Sequence, residues 1–105
     1  LSFIGWGSVK NVVCDAMNLW NRKYPKKEIN LLHFEYVYPV RTDKLKELIA
    51  NKQPLVLIEN NSFGQLGALL TQETGYLFED KLLKGDGRPF FVEDIIEYLD
   101  GRPRD

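Results

Sequence analysis

Apolar positions fall along this chain in blocks whose spacing changes from block to block. Leu1 to Ile4, Ile29 to Phe34 and Leu55 to Ile58 are short apolar runs bounded by turn residues. Such runs read as buried strands. Between them the apolar residues recur at helical spacing. Val9, Val12, Val13, Ala16, Leu19 and Trp20 form one face, with Ser8 as its N-cap and Tyr24-Pro25 as its stop. Thr42 caps a short helix whose Leu45, Leu48 and Ile49 share a side. Phe63, Leu66, Leu69 and Leu70 make a third face, stopped at Gly75. Val92, Ile95, Ile96 and Leu99 make the last, ended by Gly101, with Glu93 and Asp94 at its positive end. A fourth, shorter strand is expected within Leu77 to Lys84.

Strand–helix alternation predicts an α/β fold: three layers, a mostly parallel sheet with helices on both faces. One domain is expected over residues 1–101, with 102–105 as a tail. In such sheets the loops that follow the strands share one edge, where ligands and partners usually bind. These loops are Gly5 to Ser8, Tyr36 to Val40 and Glu59 to Gln65. Gly85 to Pro89 joins them if the fourth strand runs parallel.

Leu55 to Leu70 is the stretch richest in special residues. A strand expected at the centre of the sheet ends on Glu59, followed by Asn60 and Asn61. Ser62 and Gln65 stand three apart, the spacing of a capping box. Gly64 and Gly67 lie one turn apart. A glycine costs about 1 kcal/mol inside a helix, so the pair implies close approach of the backbone to a neighbour.

Composition narrows the function. The 105 residues are 44% hydrophobic and 28% charged, one globular domain's worth. A net charge of -1 supplies no basic field for nucleic acid or a membrane surface. Cys14 is the single cysteine, so an internal disulfide and a cysteine-bound cluster are excluded, and a cytoplasmic setting fits. No apolar run approaches the ~18 residues of a membrane span, and no signal peptide is expected from the opening residues. The chain opens inside an apolar run without a methionine, and a piece of a longer polypeptide is expected.

The candidate chemistries are weak. Gly5-Trp6-Gly7 lacks the third glycine of a dinucleotide loop, because residue 10 is Lys10. Gly85-Asp86-Gly87 with Asn60-Asn61 carries the residue types of a thiamine diphosphate–magnesium motif, in the reverse order. His33 sits in an apolar run without a nucleophile or acid in triad spacing, and a core or interface histidine is expected. Cys14 falls mid-helix without a basic neighbour. Asn60 and Asn61 fit either turn geometry or contacts to a partner or ligand. A serine cap and Gly64 would leave helix amides facing outward for an anion. No catalytic and no metal-ligating set emerges.

The stretch Glu59-Asn60-Asn61-Ser62-Phe63-Gly64-Gln65-Leu66 resembles the ENN-x-x-GQL signature of 2-oxoacid:ferredoxin oxidoreductases. The likeness is to the second domain of their alpha subunit, which is related to the transketolase C-terminal domain. Three further stretches agree in order: Gly5-Trp6-Gly7-Ser8, Leu32-His33-Phe34 running to Tyr38-Pro39-Val40, and Gly85-Asp86-Gly87-Arg88-Pro89-Phe90. The family often has a tyrosine and a hydroxyl residue where Ser62 and Phe63 stand. It often has threonine where Phe91 stands, so the last helix is expected to lack its usual cap.

The resemblance implies a whole enzyme that oxidatively decarboxylates a 2-oxoacid with coenzyme A, yielding an acyl-CoA and reduced ferredoxin. Thiamine diphosphate, magnesium, iron–sulfur clusters and coenzyme A are then expected in the complex and none on this domain. The domain would help assembly, meeting the remainder of the alpha subunit and the beta subunit. The interface or ligand edge would comprise Asn60, Asn61, Phe63, Gly64, Gln65, Arg88 and Phe90. Two rival readings are a module binding coenzyme A or a nucleotide-like anion, and a transketolase-like domain of a lipoamide-linked 2-oxoacid dehydrogenase.

Overall fold

The computed structural model describes residues 1–7, 9–34, 42–59, 65–84 (residue 65 by its backbone) and 89–102. Four strands and four helices alternate among them. They are β1 (Ser2–Trp6), α1 (Val9–Lys23), β2 (Asn30–Phe34), α2 (Asp43–Ala50), β3 (Leu55–Glu59), α3 (Gln65–Thr74), β4 (Asp80–Leu83) and α4 (Val92–Asp100). The strands lie in the order β2-β1-β3-β4, and every pairing is parallel. The expected α/β sheet, including its fourth strand, is therefore present.

Burial follows the order. β3 is buried at all five positions and β1 at four, while β2 and β4 are the half-exposed outer strands. The inner strands must be apolar on both faces, because helices cover each face. Alternate side chains divide them. Phe3, Val56 and Ile58 pack with Val9, Val13, Ala16 and Trp20 of α1 and with Ile95 and Leu99 of α4. Ile4, Leu55 and Leu57 pack on the other side with Leu45 of α2 and with Leu66 and Leu70 of α3.

Two glycines admit this packing. A Cβ on Gly5 would meet Val9 Cγ2 at 2.9 Å and Ile58 Cγ2 at 3.0 Å, so α1 could not close on the sheet. A Cβ on Gly67 would run into Leu57 Cδ2, and this explains a glycine inside α3. Its expected companion Gly64 lies outside the described residues, as does the Ser8 cap.

Three expectations need correction. Leu19 is 52% exposed, because it lies at the flank of the α1 stripe that Val9, Val13, Ala16 and Trp20 define. Thr42 holds the N-cap position of α2, but its hydroxyl makes no cap bond. Arg102, expected in the tail, turns back instead. Its guanidinium donates to the Tyr98 hydroxyl at 3.2 Å, lies over that ring, and approaches Asp80 at 3.5 Å.

Candidate functional site

The chain runs outward from β1 to β2 on one side of the sheet and from β3 to β4 on the other. The reversal falls between β1 and β3, whose carboxyl ends flank the crevice where open α/β sheets usually hold ligands. The residues that end these two strands are Trp6 and Glu59. Gly5 pairs with Ile58 in register, so the next residues, Trp6 and Glu59, stand side by side.

Glu59 is 1% exposed. A buried carboxylate requires donors, and three converge on it. The Trp6 indole Nε1–H donates to Oε1 at 3.2 Å. The Leu66 amide donates to Oε1 at 2.7 Å and the Gly67 amide to Oε2 at 3.4 Å. The acid ending β3 thus caps the start of α3, where the helix carries positive partial charge. The Leu66 and Gly67 donors are engaged within the chain, while Ser62 and Gly64, on which the expectation of outward amides for an anion rested, lie outside the described residues. Chemically, the arrangement fixes geometry: it joins two strand ends to a helix start.

A second junction stands at the end of β4. The Lys84 backbone N–H donates to the Glu59 carbonyl at 3.0 Å, extending the β3–β4 ladder. Its ammonium donates to the Pro89 carbonyl at 3.0 Å and to Asp94 Oδ2 at 2.9 Å. It also lies 5.7 Å from the Phe90 ring and 5.1 Å from the Phe91 ring. Asp94 in turn accepts the Phe91 amide at 2.8 Å and donates its own amide to the Phe91 carbonyl at 3.0 Å. The last helix lacks a side-chain cap from Phe91, as expected, and Asp94 supplies the returning half of the box. The Phe91 amide and the Lys84 ammonium hold the Asp94 carboxyl below its ordinary value of 3.8. Spacing alone could have found this role for Asp94, which stands three residues after the cap position. Nothing in the sequence marked Lys84.

Of the residues expected at the interface or ligand edge, Asn60, Asn61, Phe63, Gly64 and Arg88 lie outside the described residues. Gln65 is the first residue of α3. Phe90 is 6% exposed and belongs to the core beneath α1 and α4, so its ring is covered within the chain. The exposed aromatic next to it is Phe91. His33 lies across from Gly5 in β2, and its Nε2 bonds the Gly7 carbonyl at 3.0 Å. A carbonyl only accepts, so Nε2 carries the proton. Nδ1 has no partner among the described residues.

No group of three or more His, Cys, Asp or Glu side chains converges to hold a metal among the described residues. Their donor sets do not fit an iron–sulfur cluster or thiamine diphosphate: Cys14 stands alone in mid-helix, and the crevice acid is engaged by the Trp6 indole and two amides of α3. Among the described residues no helix is long and apolar enough to cross a membrane. An open groove of about 710 Å³ lies away from the crevice, between β4 and α4, lined by Asp80, Leu82, Asp94, Glu97, Tyr98 and Arg102.

No protein-family model matches the chain. Individual relatives do. The chain is 28% identical over 98 residues to subunit alpha of 2-oxoacid:ferredoxin oxidoreductase 1 from Aeropyrum pernix, covering 90% of this chain and 15% of that one. It is 29% identical over 97 residues to the alpha subunit of the Saccharolobus solfataricus 2-oxoacid:ferredoxin oxidoreductase, covering 92% and 15%. The chain is homologous to a segment of that alpha subunit. A solved 2-oxoglutarate:ferredoxin oxidoreductase from Magnetococcus marinus, holding 2-oxoglutarate, coenzyme A and succinyl-CoA, shares the fold. Its TM-score is 0.81 at 22% identity, over 94% of this chain and 17% of that one. The resemblance first seen around Glu59 to Leu66 thus extends over nearly the whole sequence. The chain spans about a seventh of the length of these alpha subunits, 15% in both.

Proposed function

We propose that this chain serves as the transketolase C-terminal-like domain of a 2-oxoacid:ferredoxin oxidoreductase alpha subunit, in a cytoplasmic enzyme. Its work is assembly. One observation carries the reading: nearly all of this self-contained sheet matches a segment that is only 15% of a catalytic subunit. The crevice supports it, because its acid, Glu59, is engaged by Trp6 and by the start of α3. The oxidative decarboxylation of a 2-oxoacid to an acyl-CoA, with ferredoxin as acceptor, belongs to the whole complex. Thiamine diphosphate, magnesium, iron–sulfur clusters and coenzyme A sit on its other parts.

The strand-end edge then meets the remainder of the alpha subunit and the beta subunit, through Asn60, Asn61, Phe63, Gly64, Gln65 and Arg88. The test replaces Asn61→Ala and Gln65→Ala together. In the complete enzyme, recovery of the beta subunit with the alpha subunit should fall. The melting temperature of the 105-residue chain should move little, by no more than the loss of one helix cap, about 1 kcal/mol. Equal losses in both would sink the interface role. A thermal shift of this chain by millimolar coenzyme A would favour the anion-binding alternative.

A further inference from the structure

Four large apolar side chains are exposed among the described residues: Leu19, Leu77, Leu83 and Phe91. Scattered exposed apolar residues are ordinary. Phe91 differs from the rest in how it is held. It occupies the N-cap of α4, where Ser, Thr, Asp or Asn would stabilise the helix and phenylalanine does not. The position therefore gives up helix stability to present a ring that is 58% exposed. Its backbone is clamped from both sides by Asp94, and the Lys84 ammonium, itself bonded to the Pro89 carbonyl and Asp94, sits over the ring. A surface aromatic fixed in this way loses little freedom on docking, which is what makes rigid aromatic anchors effective.

We propose that Phe91 is an anchor by which this domain docks onto an apolar pocket in the remainder of the alpha subunit, with Lys84 as its positioning residue. The inference rests on the assembly reading above and names its contact. The occupant follows from two facts. Phe91 stands at the start of α4, against Lys84, the residue that follows β4, on the edge where the parallel strands end. The relatives carry this segment within a chain of which it is 15%, so the rest of that chain is the surface present at every copy. Where the resemblance leads to threonine, this chain has phenylalanine, and the anchor is its own addition to the edge.

Phe91→Thr separates docking from folding, because threonine is the better cap. In the 105-residue chain alone the melting temperature should hold or rise. In the complete enzyme, amide hydrogen exchange across residues 91–95 should quicken about tenfold or more, the scale of a lost interface anchor. Lys84→Met, which keeps the stem and removes the ammonium, should give a smaller change of the same sign. Unaltered exchange in the complete Phe91→Thr enzyme would overturn the anchor, as would equal protection of these amides in the wild-type chain alone and in the complete enzyme. If Asn61→Ala with Gln65→Ala still weakens assembly, only the anchor fails. If neither set weakens it, the assembly reading fails with it.

Discussion

Helices α3 and α4 begin at the same edge of the sheet, one residue type apart in their solution to the same problem. Each must satisfy amides that no preceding turn can reach, and each uses a carboxylate. At α3 the acid comes from the neighbouring strand, is almost wholly buried, and binds two helix amides and an indole. At α4 the acid comes from the helix itself, stays near solvent, and shares its charge with a lysine. Lys84 links the two, with its amide on the Glu59 carbonyl and its ammonium on Asp94. A buried acid with every oxygen engaged fixes architecture, because loss of any partner strands the others in a medium without water. A solvent-side acid tolerates change, and the position it caps is free to carry something else. At α4 that something is Phe91.

The sharpest way to break this contrast is to remove the buried acid. Glu59→Ala would leave the Leu66 and Gly67 amides and the Trp6 indole without an acceptor. At about 1–3 kcal/mol per unsatisfied buried donor, the loss is on the order of 4 kcal/mol. Denaturant unfolding should show it as a large drop in midpoint. Glu59→Gln keeps one oxygen for Trp6 and Leu66 but turns an amide group toward the Gly67 N–H. It should cost about 1–2 kcal/mol. A midpoint for Glu59→Ala within a few tenths of a kilocalorie of wild type would show that α3 does not depend on the strand for its cap.

Gly67→Ala probes the same start from its packing side. In an exposed helix this change would stabilise by about 1 kcal/mol. Here the new methyl meets Leu57 Cδ2, and Leu57 is fully buried in the layer between β3 and α3. Overpacking of this kind costs about 1–3 kcal/mol. A net loss is expected in thermal melts, and a gain would mean that α3 rides more loosely on β3 than the close approach implies.

These two residues show what the sequence could and could not convey. The parallel sheet was legible because β1 and β3 are apolar at consecutive positions, which only a doubly covered strand needs. Gly67 was legible as close packing, since a glycine inside a helix has few other reasons to be there. The relationship was legible too, from the motif around Glu59. The role of Glu59 was not. Its side-chain partners lie in two other elements, β1 and α3, and the serine and glutamine nearer in sequence offered a local cap instead. Phe90 and Phe91 could not be told apart for a related reason. Adjacent residues at a strand-to-helix turn point in different directions, and only the fold decides which one meets the core.

The α4 junction should give the smallest effect and the clearest pH signature. Asp94→Asn removes the acceptor charge that the Phe91 amide and Lys84 ammonium share, at a site open to water, so the melting temperature at neutral pH should fall only slightly. The titration is more telling. Because those partners hold the folded carboxyl below its ordinary 3.8, the unfolded chain takes up the proton first as acid is added. The stabilisation is therefore complete above that ordinary value and is lost as pH falls through the lower, folded one. Wild type should lose stability more steeply than Asp94→Asn below about pH 4, and the two stability curves should converge there. Lys84→Met should flatten the same limb in part, since the Phe91 amide remains. Parallel curves for wild type and Asp94→Asn across this window would show that the α4 cap contributes nothing through its charge, leaving the buried acid at α3 as the one of the two helix-start acids that anchors its helix.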